Sequence, residues 1–214
     1  MNKRLWFFSL LAAFLIPTPA SAQKMERTKN WEVGDKLTYT YTFADWSAHV
    51  VEQVVEVTEA EVRTTQNIGD VQRHEGAYST ADMSRMKGVC LANGEQCEFS
   101  PGEAWVRFPL EKGKSWSSSM AVTGDTFYSE TSQERKVLAV EKVTTAAGEF
   151  QAYKVSSTGR IKVRRKSGEG PWEGTESATY WWTAIKGKLV LLKQEYQNSF
   201  GARSSRELLS AELK

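Results

Sequence analysis

The stretch from Val137 to Val155 constrains what the rest of this chain can fold into. A strand-like run rich in Val, Ala and Thr ends in Thr144-Thr145-Ala146-Ala147-Gly148-Glu149. A second run starts at Phe150 and carries Ala152, Tyr153 and Val155. Val, Thr, Phe and Tyr suit a pleated, half-buried surface, and Gly148 supplies the positive φ that a tight reversal often needs. The spacing predicts a central β-hairpin, with further strands added around it.

The remaining chain supplies those strands. Lys36–Phe43 alternates with Leu37, Tyr39, Tyr41 and Phe43 on one face and Thr38, Thr40 and Thr42 on the other, which is the period of a strand with one buried face. Asp45-Trp46-Ser47 reads as a turn, and Val50–Val57 and Glu61–Ile68 as a hairpin. Residues 69–84 read as a loop with some irregular strand, and Gln23–Asn30 as a loose polar lead. Ser115–Val122 and Thr126–Val143 run up to the central hairpin. Beyond Val155 the strand continues to Arg165, with Gly159 predicting a bulge or bend. Lys166–Gly174, with its glycines and Pro171, reads as a long exposed loop. Ala178–Ile185 and Lys188–Gln197 pair about Lys186-Gly187, and Arg206–Leu213 closes the chain as a strand. No helix-period segment, repeat or linker interrupts the pattern. The expected fold is all-β: one domain over 23–214, a single antiparallel, strongly curved sheet of about ten strands, half-barrel or barrel-like.

The first residues read as an address. Asn2-Lys3-Arg4 is a basic start, Leu5–Ile16 an apolar run, and Ala20-Ser21-Ala22 a small-residue cleavage pattern. Residues 1–22 are therefore expected to be a signal peptide, leaving a periplasmic or secreted chain with no transmembrane segment. Without Lys3 and Arg4, the 28 basic residues become 26 against 26 acidic ones, which gives no reason to expect a nucleic-acid partner. Cys90 and Cys97 enclose Asn93-Gly94, the strongest short turn signal. The two thiols are expected to face each other across a hairpin and to form a disulfide in an oxidising compartment.

No constellation of residues names a reaction. His49 and His74 stand apart from each other and from the cysteines, so neither a metal nor another cofactor is implied. No G-x-S-x-G elbow is present, and the glycine-rich stretch at 168–174 lacks the lysine and the helix of a phosphate cradle. Glu52 with Glu56, and Glu130 with Glu134, have the spacing of paired carboxylates on one strand face. Solvated strand faces have the same spacing. Arg160, Lys162 and Arg164 alternate with Ile161 and Val163, as a charged outer face or a charge-protected edge strand would. The aromatics are more suggestive. Tyr39, Tyr41, Trp116, Phe150, Tyr180 and Trp182 fall on alternating positions of separate strands, as core residues or as the lining of a concavity. Trp172, in the Gly/Pro-rich loop, reads as a lid or contact residue, or as a plug on the sheet.

Four local patterns point further. They are Trp31–Gly34 before the first strand, Phe108–Trp116, the turn Ala147–Val155, and Tyr180–Gly187. Together they resemble a group of uncharacterised exported bacterial β-proteins, TapB-like or assigned to domains of unknown function. That group is loosely similar to the LolA/LolB lipoprotein-carrier half-barrel. The resemblance implies a curved antiparallel sheet and a periplasmic life, and carries over no catalytic residue. The expectation is a non-enzymatic exported β-protein binding a hydrophobic small molecule, lipid or lipoprotein in an aromatic-lined concavity. The alternative is an envelope interaction protein acting through a surface patch or sheet edge.

Overall fold

The computed structural model describes residues 24–44, 46–69, 72–90 and 95–214. The expected signal peptide at 1–22 and the Asn93-Gly94 turn lie outside the described residues. The strands are β1 (Lys24–Met25), β2 (Lys36–Phe43), β3 (Trp46–Val57), β4 (Glu61–Ile68), β5 (Gln72–Ser79), β6 (Arg85–Val89) and β7 (Gln96–Glu103). They continue as β8 (Leu110–Glu111), β9 (Ser115–Thr123), β10 (Phe127–Thr145), β11 (Gly148–Arg165), β12 (Trp172–Ile185), β13 (Lys188–Asn198) and β14 (Arg203–Glu212). Twelve of them close into an antiparallel barrel in which nearly every strand pairs with its sequence neighbours. β14 pairs with β2, and β7 pairs with β9 past the short β8, which instead pairs with β1. Closure removes most of the exposed edges that an open sheet must protect.

The central hairpin is β10 and β11, paired without a break from Val143↔Phe150 to Thr145↔Gly148. Several expectations along the chain need correction. The loop with some irregular strand expected at 69–84 contains a regular strand, β5, paired with β4 along its length. Trp46 opens β3 opposite Phe43 rather than sitting in a turn. Gly159 carries no bulge: its register to Gln133 and Glu176 is regular. What the glycine permits there is close approach, because a Cβ would stand 2.3 Å from the Ser132 carbonyl. The bulges fall elsewhere, among them Val137/Ala139, Val54/Glu56 and Trp181/Trp182. Leu138 and Val55, the extra residues in the first two, are for that reason exposed apolar side chains on the outer wall.

The two ends of the barrel differ. At one end, Trp31, Tyr78, Trp105 and Trp182 stack inward, with Trp31–Tyr78 at 5.2 Å and Trp105–Trp182 at 5.6 Å between ring centroids. Val62, Val137, Val155, Val190, Leu192 and Leu208 pack around them. The N-terminal lead is not loose but closes this end. β1 pairs with β8, Lys29 bridges to Lys188, and Trp31 Nε1 donates to the Leu189 carbonyl at 3.0 Å. Asp35 and Lys188, both buried, meet at 2.7 Å, and Asp35 also accepts the Lys214 backbone N–H at 2.9 Å. One ion pair thus ties the start, the end and the β12–β13 turn together.

Along β10 the inward positions run Ser129, Thr131, Gln133, Arg135 and Val137, from polar at the other end of the barrel to apolar at the plugged end. The outward positions include the exposed Glu130, Glu134 and Lys136. On this strand the outward face is therefore charged where the inward face grades from polar to apolar. Among the described residues no helix is long and apolar enough to cross a membrane.

Candidate functional site

Between the aromatic plug and the open end lies a belt of buried charge. Glu52 (2% exposed) accepts from Thr64 at 3.0 Å, Gln66 at 2.7 Å and Tyr78 at 2.6 Å, and pairs with Arg206 at 3.1 Å. Burial pushes its pKa up, but the Arg206 charge and the three hydrogen bonds outweigh that and hold the carboxyl below its usual range. Glu52 is therefore no part of a solvated face, and it forms no pair with the exposed Glu56. The Arg206 guanidinium also lies 3.7 Å from the centroid of the Tyr39 ring.

A second group sits across the barrel. Arg135 pairs with Glu103 at 3.0 Å and donates to Gln133 Oε1 and to the Ala104 carbonyl. Glu176 accepts from Gln133 at 2.6 Å and from the Tyr196 hydroxyl at 3.2 Å. Burial holds Glu176 above its usual carboxylate range, and the charge of Glu103 adds to this. Burial likewise pushes the Tyr41 hydroxyl up to about 12.

Above this belt is a cavity of about 130 Å³ walled by residues including Arg85, Phe99, Glu103, Glu176, Tyr180 and Gln194. Next to it, at the end of the barrel, is a vestibule of about 970 Å³. Phe127, Ser129, Ile161 and Tyr196 wall both spaces. Val163, Trp172 and Phe200 complete the apolar side of the vestibule, and Arg165 and Lys166 stand at its edge.

The aromatics singled out from the sequence divide between these regions. Tyr39, Trp116, Tyr180 and Trp182 belong to the packed core, and Phe150 packs against it half-buried. Tyr41 is buried on the same face of β2, beside Trp46 at 5.9 Å. These six do not line an open concavity together, although Tyr180 reaches the wall of the inner cavity. Trp172 is the one that stands at the vestibule, 42% exposed, with the Arg165 guanidinium 5.8 Å from its ring centroid. It is not in a loop, however: it opens β12 opposite Val163, and the connection is cut to residues 166–171.

Phe200 and Phe127 were missed. Phe200 carried the same signal as Trp172, an aromatic between turn residues, here Ser199 and Gly201. The buried Arg85, Glu103, Arg135 and Glu176 carried no signal at all, because alternation tells which residues share a face but not which face is inside.

Cys90 and Cys97 are bridged, with Cα atoms 5.5 Å apart. They do not stand directly opposite: Cys97 pairs with Gly88, and the Cys90 N–H donates to the Glu95 carbonyl. The bridge therefore runs diagonally, and it packs with Phe99 and Val122 into a small apolar cluster forming one wall of the inner cavity. Among the described residues no group of three His, Cys, Asp or Glu is placed to hold a metal ion.

Fold and site together define a closed antiparallel β-barrel, plugged by aromatics at one end and open to a partly apolar cavity at the other. Two solved structures share this fold. A provisionally named lipoprotein from Parabacteroides distasonis aligns with a TM-score of 0.51 at 13% identity, over 88% of this chain and 100% of its own. A provisionally named exported protein with a YmcC-like fold from Bacteroides fragilis aligns with a TM-score of 0.56 at 13% identity, over 87% of this chain and 99% of its own. No family model and no curated protein matches the chain.

Proposed function

We propose that this is an exported, non-enzymatic barrel of the periplasm or the secreted space, which holds a hydrophobic small molecule, a lipid or the acyl chain of a lipoprotein in its open end. The carrying observation is the vestibule. Its volume is that of a small-molecule site, and Phe127, Trp172, Phe200, Ile161 and Val163 give it an apolar wall beside a polar interior. Phe200 and Trp172 stay 47% and 42% exposed, although so much aromatic surface gains by burial. The leader-like residues 1–22, the disulfide, and the naming of one structural neighbour as an exported protein and of the other as a lipoprotein support the location.

Glu103 and Glu176 do converge on the inner cavity, as a hydrolase pair would. Glu103 is already held by Arg135, and Glu176 by Gln133 and Tyr196, so neither carboxylate is free for that chemistry. The test is native mass spectrometry and solvent extraction of protein taken from the periplasm, followed by uptake of an uncharged fluorescent apolar probe. A bound species, and probe uptake that drops in a Trp172→Ala/Phe200→Ala double variant, are the expected results. Empty protein that takes up no probe defeats the reading.

One observation favours an interaction role as well. β7 pairs with β9 only from Glu98↔Thr123 to Ser100↔Ala121, so Ser115–Met120 of β9 meet no strand on that side among the described residues. Such an edge can accept a strand from a partner. Cross-linking from a photoreactive residue at Ser117 should then capture a defined envelope protein, and labelling spread over many proteins rules the role out.

A further inference from the structure

We infer that the inner cavity seats an oxyanion head group, so that the ligand is a single-chain amphiphile with a carboxylate or phosphate at one end. The inference rests on the open end being a ligand site, as proposed above, and it names the ligand's chemistry. Arg85 carries it. This residue is 4% exposed, lines the cavity, and lies with its guanidinium 4.6 Å from the centroid of the Phe99 ring and 5.4 Å from that of Trp105. One of its amino groups donates to the Val89 carbonyl, while its Nε has no partner.

The other two buried arginines among the described residues each have a carboxylate, Glu103 for Arg135 and Glu52 for Arg206. Arg85 has none within ion-pair distance among the described residues. Burying a cation without a counter-charge is costly, and a buried donor left open adds to that cost. The carboxylates already present in the cavity are engaged by Arg135, Gln133 and Tyr196.

Space and direction agree with charge. A Cβ on Gly88 would stand 2.5 Å from Arg85 Nη2, so glycine there leaves the guanidinium its room. A carboxylate or phosphate is small enough for about 130 Å³, and Phe127 and Ile161 are walls that the cavity shares with the apolar vestibule where a chain would lie. Arg165 and Lys166 share the vestibule with Glu95, and Arg165 is paired with Glu169 at 2.9 Å, so selection for an anion rests on Arg85.

The test measures binding of oleate, oleoyl lysophosphatidate and methyl oleate, below their micelle concentrations, to protein stripped of any co-purified ligand. At least one anionic amphiphile should bind about tenfold or more tightly than the uncharged ester, the size of a charge-assisted hydrogen bond. Preference for oleate or for the lysophosphatidate identifies the head group. Arg85→Met should bring the preferred anion down to the ester's affinity and leave the ester's own affinity unchanged. If Arg85→Met does not fold, the wild-type comparison alone decides. Equal affinity for all three overturns the head-group seat and leaves the apolar site standing. Binding of none of them removes both.

Discussion

Glu52 and Glu176 are both carboxylates inside the same barrel, and their surroundings drive them in opposite directions. Glu52 is kept charged by Arg206 and three hydrogen bonds, so its folded pKa lies below its unfolded one. The stability it contributes is present at neutral pH and is lost as pH falls through that lowered value. Glu52→Gln removes the counter-charge of a buried arginine and should cost about 3–5 kcal/mol in a urea titration at pH 7. The difference from wild type should shrink in acid, and a gap that stays constant down to pH 2 contradicts the assignment. Glu176 has the opposite sign. Burial raises its folded pKa, so the protonated form stabilises the fold, and that contribution is lost as pH rises through the raised value. Glu176→Gln should therefore melt at or above wild type at pH 7, and the two melting curves should converge near pH 4. A variant clearly less stable than wild type at pH 7 would show that the charged form is the one the fold prefers.

At the scale of single elements, the β6–β7 hairpin carries the sharpest claim. Its disulfide closes a loop of a few residues, so it removes modest entropy from the unfolded chain. Replacing Cys90 and Cys97 with Ser should cost about 2–3 kcal/mol by that account and leave the far-ultraviolet circular dichroism unchanged. Because the bridge backs the wall that holds Phe99 and Arg85, the same variant should also speed probe release if the proposed binding site is correct. A double serine variant with unaltered melting temperature and unaltered probe release makes the bridge irrelevant to the cavity. The N-terminal segment is the other element whose weight exceeds its regularity. Trp31 lies just before β2, yet it is buried against Tyr78 and hydrogen-bonded to Leu189 across the barrel. Trp31→Ala should cost about 3–5 kcal/mol. A loss under 1 kcal/mol in the same titration would return this segment to the status of a loose lead.

For the whole molecule, one end is packed shut by aromatics and the other is open. The plugged end has the aromatic stack, the Asp35–Lys188 pair and both ends of the described chain. The open end has the exposed Trp46, Tyr128, Trp172 and Phe200, and an interior lined by polar groups. Hydrogen exchange should be slowest in the strand segments around Val155, Val190 and Leu208, and fastest in the connections at residues 166–171 and 199–202. Uniform protection along β11 from Tyr153 to Arg165 would contradict this division.

Local rules made the strands and their partners legible. Alternation in Lys36–Phe43, the turn at Ala147-Gly148, the Lys186-Gly187 reversal and the lack of any helix period determined an all-β chain of hairpins, because pleat and turn chemistry act between residues close in sequence. The count came close for the same reason: about ten strands expected, twelve in the ring. Whether the curved sheet closes is a property of its total twist and of β14 meeting β2 across more than 150 residues, and no local pattern carries that information. Closure then decided the rest. It placed Tyr39, Trp116 and Trp182 in packed core and Tyr180 between that core and the cavity, and it put Glu52 and Arg206 inside. It also left Arg85 beside a cavity whose carboxylates are engaged by other residues, with no ion-pair partner of its own among the described residues, because the partner of an inward side chain is chosen by the strand across the barrel.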